Sequence, residues 1–356
     1  MGNRLERILV TGGAGFVGST LAVAFKQRFP ETEVLALDNL RRRGAELILH
    51  RLYQHGIKFV HGDIRVAADL PVGDFDLLLE CSAEPSVLAG YHTAPDYLLH
   101  TNLTGALHCL EFCRLRCPRL IFISTSRVYS IPRLRQLSLR ETATRFAMEA
   151  TQGIPGASDQ GIDEDFPTSG PRSLYGATKL AAEMFVEEYR HAYGLKTVID
   201  RCGVLAGPWQ MGKQDQGVFT FWMAGHFFNR PLRYIGFGGH GKQVRDLLHA
   251  EDLASLVLEQ AGALDQWDGS TVNVGGGVEV SLSLREATEL CRRMTGNSPS
   301  IAEEPKDRPM DVPCYLSDCS RLFSRTEWRP RHGPERILSD TFEWMRKHET
   351  ALRSVL

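Results

Sequence analysis

The run RILVTGGAGFVGS, residues 7–19, joins an apolar strand-like segment to a helical pattern through evenly spaced glycines. In that setting Gly12 permits a tight turn, Gly15 lets backbone amides approach a pyrophosphate, and Gly18 lets the helix sit close to the strand. Phe16 and Val17 complete the turn, and the helix start offers free N–H groups and positive partial charge to a phosphate. A glycine triplet alone is weak evidence. Here Asp38 ends the next apolar run, EVLALD, where a carboxylate can accept both hydroxyls of an adenosine ribose. With Asn39 beside it, the pattern predicts a dinucleotide site. Asp38 would repel a ribose 2′-phosphate and so favours NAD over NADP, while Arg41, Arg42 and Arg43 leave a second way to host that phosphate. In HGDIR, Asp63 and Ile64 are placed to flank an adenine, with core packing an equal alternative for Ile64.

Six nearly continuous apolar runs (RILVTG, EVLALD, IKFV, FDLLLECS, RLIFIST and KTVIDRC) read as buried strands. Helical stretches at 16–28, 41–55, 96–116 and 174–193 separate most of them. Strands buried on both faces and alternating with helices define an α/β fold with a doubly wound parallel sheet, here of Rossmann type. Residues 131–171, rich in Pro, Gly, Ser and charge, read as an insertion or lid. After residue 206 the rhythm weakens: FTFWMAGHFFN reads as an aromatic helix, RDLLHAEDLASLVLEQ as a helix with an acidic start, and TVNVG as a strand rejoining the sheet. The expected organisation is a nucleotide domain over 1–206, rejoined by 242–275, with a smaller interleaved substrate-binding lobe from 207–241 and 276–356.

A net charge of −2 gives no electrostatic footprint for nucleic acid or an anionic membrane. No apolar run reaches membrane-spanning length, and MGNRLERILV leads straight into a strand with no room for a signal peptide. The eight cysteines lack metal-type CxxC pairs; Cys109, Cys113 and Cys117 fall on one semi-buried helical face. The expectation is a reduced, cytoplasmic protein without a metal centre.

SLYGATKLAAE places Tyr175 and Lys179 one helical turn apart on the same face. A phenol of pKa near 10 is a poor base at neutral pH; a neighbouring ammonium stabilises the phenolate and makes it a usable one. Thr125, at the end of RLIFIST, is placed to hold a substrate hydroxyl in line with that phenol. An isolated YxxxK is usually a surface pair, but the ordered set of glycine turn, Asp38, Thr125 and YxxxK is far more specific.

That set resembles the extended short-chain dehydrogenase/reductase family of NAD-dependent epimerases and dehydratases, from about residue 6 to at least 330. The resemblance implies catalytic roles for Thr125, Tyr175 and Lys179. It also implies a geometric role for Asn102 near the active site, cofactor contacts at Cys81, Ser82 and Ala83, and a homodimer or homotetramer built on helices 96–116 and 174–193. Dehydratases of the family carry Thr-Asp-Glu where this chain has Thr125-Ser126-Arg127, and decarboxylases carry a glutamate at the Arg127 position. What remains is oxidation and re-reduction at one sugar carbon. The stretches DNLRRRGAE, KQDQGVFTFW, GKQVRDLLHAEDL and NVGGGVEVSLSLREA resemble the CDP-tyvelose type of 2-epimerase. This implies inversion at C2 of a CDP-hexose or CDP-dideoxyhexose, with a UDP-sugar 4-epimerase and a non-catalytic NAD-binding scaffold as the other readings. Arg245 and Arg308 match positions that clamp a substrate pyrophosphate, and Ser86, Arg127, Gln214 and Gln216 are further candidate substrate contacts. The sequence departs from its relatives where Glu80-Cys81-Ser82-Ala83 replaces the common His-x-Ala-Ala.

Overall fold

The computed structural model describes residues 5–91 and 93–356; the first four residues, part of the leader reading, lie outside the described ones. The chain forms two compact units. Unit 1 takes residues 1–125, 174–201 and 253–271, and unit 2 takes 126–173, 202–252 and 272–356. The 131–171 segment therefore belongs to unit 2.

Unit 1 is built on a seven-stranded sheet. Its strands are β1 (Arg7–Thr11), β2 (Glu33–Asp38), β3 (Lys58–His61), β4 (Leu77–Glu80), β5 (Arg119–Thr125), β6 (Lys196–Cys202) and, after two further strands of unit 2 in chain order, β9 (Ser270–Val274). They lie in the order β9-β6-β5-β4-β1-β2-β3, so TVNVG does rejoin the sheet. Each pairing from β3 across to β5 is parallel, with Val10 opposite Ala36 on one side and Leu79 on the other. The chain order reverses between β1 and β4, and in open α/β sheets ligands bind outside the strand C-termini at such a reversal.

Helices α1 (Phe16–Arg28), α2 (Ile48–Gln54), α3 (Gly105–Arg116) and α4 (Leu174–Tyr193) belong to the same unit. One core gathers Leu9, Leu35 and Leu78 from the strands, Leu110 and Phe112 from α3, and Ala182 and Val186 from α4. Each large apolar side chain buried this way contributes roughly 1.5–3 kcal/mol. Cys109, Cys113 and Cys117 face this core and are fully buried, deeper than the semi-buried face expected of them. The predicted helix over 96–116 has a π-helical segment at His100–Thr104, and the one over 41–55 is a 3₁₀ turn at Ala45–Leu47 followed by α2. Gly44, with φ of 89°, prevents the longer helix.

Unit 2 holds β7 (Val204–Ala206), β8 (Val244–His249), β10 (Ser281–Ser283) and β11 (Cys314–Tyr315) in one four-stranded sheet. RDLLH is thus a strand, not the first turns of a helix: Val204 pairs with Leu247 and Leu205 with Leu248. A helix begins only at Ala250, α6 (Ala250–Gly262), where Glu251 and Asp252 supply the acidic first turn. Before it stands the aromatic helix α5 (Val218–Phe227), as expected, and Trp222 on it donates to Thr288 Oγ1 at 2.9 Å while stacking on Tyr234. Thr288 lies on α7 (Leu284–Thr295), whose start carries a capping box between Ser283 and Glu286. Arg145 forks onto that same Glu286 at 2.5 Å, which ties the 131–171 segment to α7 of its own unit.

Asp200 on β6 is fully buried and accepts from Gln260 Nε2 at 2.8 Å, while its Oδ2 has no partner among the described residues. Burial pushes this carboxyl up to about 7. A carboxyl whose folded value is raised above the unfolded one makes the fold less stable as pH climbs from about 4 to about 7, because the unfolded chain releases its proton first. Asp200→Asn is therefore expected to raise the thermal midpoint by several degrees at pH 8 and by less at pH 5, as read by calorimetry at the two pH values.

Candidate active site

The glycine turn sits at the reversal between β1 and β4. Gly12 has φ of +63°, and a Cβ there would stand 2.8 Å from the Cys81 carbonyl oxygen. A Cβ on Gly18 would meet the Gly12 carbonyl at 2.2 Å, and one on Gly15 the same oxygen at 2.9 Å. The loop is thus closed against its own helix and against the end of β4, leaving the first amides of α1 as the helix's open end. Asp38 accepts from the amides of Ala14 at 3.2 Å and Leu40 at 2.7 Å, which aligns it beside that turn. Burial pushes its carboxyl up against those two hydrogen bonds.

Asn39 donates to Asp63 at 2.9 Å, so two residues predicted separately meet at the ends of β2 and β3. Burial opposes the Asp63 charge, yet the forked Arg65 guanidinium and Asn39 hold its carboxyl at about 2. Arg65 and Arg41 both lie over the Tyr97 ring, at 4.7 and 3.9 Å, a cluster the sequence alone did not suggest. Ile64 is buried in the core, where its Cδ1 would stand 2.5 Å from a Cβ on Gly105.

Thr125 ends β5, and Tyr175 and Lys179 face inward from the first turns of α4. Both side chains are nearly buried, which excludes the solvated surface pair that an isolated YxxxK usually forms. The Lys179 ammonium lies 3.8 Å from the Phe122 ring centroid and 3.5 Å from Glu80 Oε2. One turn further along the same face, Glu183 accepts a forked pair from Arg201 on β6, the closer at 2.7 Å, and also a hydrogen bond from Ser124. This network pins the residue before Thr125 to the helix that carries Tyr175. Asn102 lies in the π-helical segment; it accepts from the Glu84 amide at 2.8 Å and donates to the Glu84 carbonyl and Thr178 Oγ1. It therefore fastens the strand β4 exit to α4. Ser82 donates its amide to Glu80, and Ser86 is buried in the same exit loop, with Ala83 between them.

In unit 2, Arg127, Arg135 and Arg245 converge on the strip 308–312. Arg127 donates to the Met310 carbonyl at 3.4 Å, Arg135 to the Asp311 carbonyl at 2.8 Å, and Arg245 to the Asp311 carboxylate at 2.6 Å. Arg308 in turn donates to the Gln214 carbonyl, and Gln216 closes a tight turn with Lys213. Two of the predicted substrate contacts, Arg127 and Arg245, thus meet Arg135 on the strip that carries a third, Arg308, and Arg308 reaches the backbone carbonyl of Gln214. His249, Glu251 and His332 also come together in this unit. The two rings stack 4.3 Å apart and 23° from parallel, an arrangement in which their in-plane lone pairs do not meet at one ion. Among the described residues no helix is long and apolar enough to cross a membrane.

Fold order, glycine cradle and acidic strand end define a dinucleotide-binding α/β protein, and the chain belongs to the NAD-dependent epimerase/dehydratase family, whose model matches residues 8–275. It is 30% identical to the CDP-paratose 2-epimerase of Salmonella typhi, over 95% of this chain and 98% of that protein. It is also 30% identical to a dTDP-glucose 4,6-dehydratase of Mycobacterium tuberculosis, over 97% of this chain and 94% of the other. Among solved structures it matches the UDP-glucose 4-epimerase of Thermus thermophilus in complex with NAD, with a TM-score of 0.73 and 25% identity, covering 96% of this chain and 99% of that one.

Gly12→Ala combines a left-handed backbone with a Cβ against the Cys81 carbonyl. It is expected to weaken NAD binding by at least about tenfold in a chain that retains its far-ultraviolet circular dichroism, as measured by equilibrium dialysis.

Proposed function

We propose that the chain is an NAD-dependent nucleotide-sugar epimerase that inverts C2 of a CDP-hexose or CDP-dideoxyhexose through a transient 2-keto sugar. The observation that carries this reading is the side-chain set at the end of β5 and the start of α4. The chain carries Thr125, Tyr175 and Lys179, while the two positions after Thr125 hold Ser126 and Arg127. Elimination of water would need an acid for the leaving hydroxyl and a base at the neighbouring carbon, and neither side chain serves there. The likeness to a CDP-paratose 2-epimerase along nearly the whole chain supports C2 and CDP.

The glycine cradle fits a pyrophosphate, and Asp38 and Asn39 suit the adenosine ribose. When bound, the dinucleotide supplies the hydride acceptor and donor. The protein's own groups do the rest. Thr125 orients the sugar hydroxyl, and Tyr175, as phenolate beside the Lys179 ammonium, takes the hydroxyl proton. After the ketone has presented its other face, Tyr175 returns that proton to the inverted alkoxide. Proton and hydride both come back, so nothing is consumed. In unit 2, Arg245, Arg308 and Arg127 suit the diphosphate, since guanidinium groups bind such oxygens in pairs, and Gln214 and Gln216 supply polar contacts; Ser86 of unit 1 is a further candidate contact.

A second reading, C4 inversion of a UDP-sugar, uses the same groups and is favoured by the likeness to a UDP-glucose 4-epimerase structure. We also propose a homodimer built on α3 and α4. These helices expose Leu115, Met184, Phe185 and Tyr193, apolar side chains that such an interface would cover.

Incubated with CDP-paratose or UDP-glucose in deuterium oxide and followed by proton NMR, the enzyme is expected to epimerise the CDP-sugar at C2 without taking up solvent deuterium. Deuterium at C2 would replace hydride return by deprotonation, and turnover of the UDP-sugar alone would move the assignment to C4. Tyr175→Phe is expected to lower kcat by about 10²–10⁴-fold with NAD binding retained.

A further inference from the structure

Glu80 is a carboxylate inside a sheet. It ends the strand LLLE, whose other members are leucines, and its side chain is 2% exposed. Its Oε1 accepts the Ser82 amide at 3.0 Å, which fixes the rotamer, and its Oε2 lies 3.5 Å from Lys179 Nζ, itself 2% exposed. Among the described residues three titratable groups face this carboxylate. Lys179 comes from α4, Cys81 from the strand exit and Cys109 from α3. Burial pushes both thiols well above their ordinary range, so they stay neutral. Burial pushes the Glu80 carboxyl up as well, and the Lys179 ammonium and the Ser82 amide work against that shift, so its carboxylate form depends on the lysine it faces. The Phe122 ring on the ammonium's other contact is uncharged.

Stability does not explain such a pair, because well-packed apolar residues of similar volume hold a core at least as well as a buried ion pair does. A function that needs an ammonium at this point does explain it. Water cannot solvate a cation this deeply enclosed, and desolvation drives a lone buried lysine toward its neutral form.

We infer that Glu80 is a positioning residue, the buried counter-ion that keeps Lys179 protonated and held beside the first turn of α4. The inference rests on the epimerase reading for the use made of Lys179 but not for the pairing itself. Glu80 touches no substrate in this role; it acts through the lysine, which acts on the phenol. It also gives a purpose to the replacement of the usual His-x-Ala-Ala at Glu80-Cys81-Ser82-Ala83.

The test uses the full chain loaded with NAD and carrying ¹³C-labelled lysine, with the Lys179 side-chain signal identified by its loss in Lys179→Arg. In Glu80→Gln, Lys179 is expected to titrate at least about one pH unit lower than in the parent, because the anion beside it is gone. The alkaline limb of the pH–rate profile should move with it, and Glu80→Asp should restore most of both shifts. A folded Glu80→Gln protein with neither shift overturns the inference. Should Glu80→Gln fail to fold, the double variant Glu80→Gln/Lys179→Met is expected to fold again, since no buried cation is left unpaired; a double variant no more stable than the single one also overturns it. The lysine titration needs no substrate. A moved titration in a protein that epimerises no sugar sinks the proposed function and leaves the pairing in place.

Discussion

Close backbone approach at one turn is the constraint on which the nucleotide unit depends. Gly12 lies against the Cys81 carbonyl, and Gly18 lies against Gly12 itself. Those contacts set how near α1 comes to β1 and how near β1 comes to the exit of β4. Once that spacing is set, the sheet reversal, the helix N-terminus and the acidic end of β2 fall around a single crevice. No side-chain interaction could substitute, because the gaps are too small to hold even a methyl group.

Around this turn the unit keeps charge in its interior, and it does so in pairs. Glu183 is met by Arg201 and Ser124, and Glu80 by Lys179. A buried charge that loses its partner costs several times what the pair contributes. Such groups therefore fix geometry more than they add stability. The buried face of α4 shows the pattern compactly: Tyr175, Lys179 and Glu183 follow one another at one-turn intervals, with Lys179 beside Glu80 of β4 and Glu183 fastened to Arg201 of β6.

Local signals were legible in the sequence. The strands of the large sheet read as continuous apolar runs because both faces are covered, and the Tyr175–Lys179 spacing is a property of one helix. RDLLH was misread because a short buried strand running straight into an amphipathic helix shares its apolar count with a further helical turn; its pairing with Val204–Ala206 decides the matter, and pairing is not local. Long-range partners were equally hidden. Nothing near Glu80 in the sequence points to Lys179, nothing near Arg135 points to the 308–312 strip, and Tyr97 gives no sign of the two guanidinium groups above it. Cys109, Cys113 and Cys117 lie deeper than their spacing implied because their face is the one turned to the sheet.

The way the chain is shared between its units has a practical consequence. Each unit is assembled from three separate stretches, and the seven-stranded sheet completes its edge only with β9, residues 270–274. A fragment ending at residue 206 would thus expose the flank of β6 where β9 belongs, an open strand edge that invites aggregation. Gene fusion or duplication could not have transferred this nucleotide unit as a block either: any cassette carrying it must carry the intervening stretches of its companion.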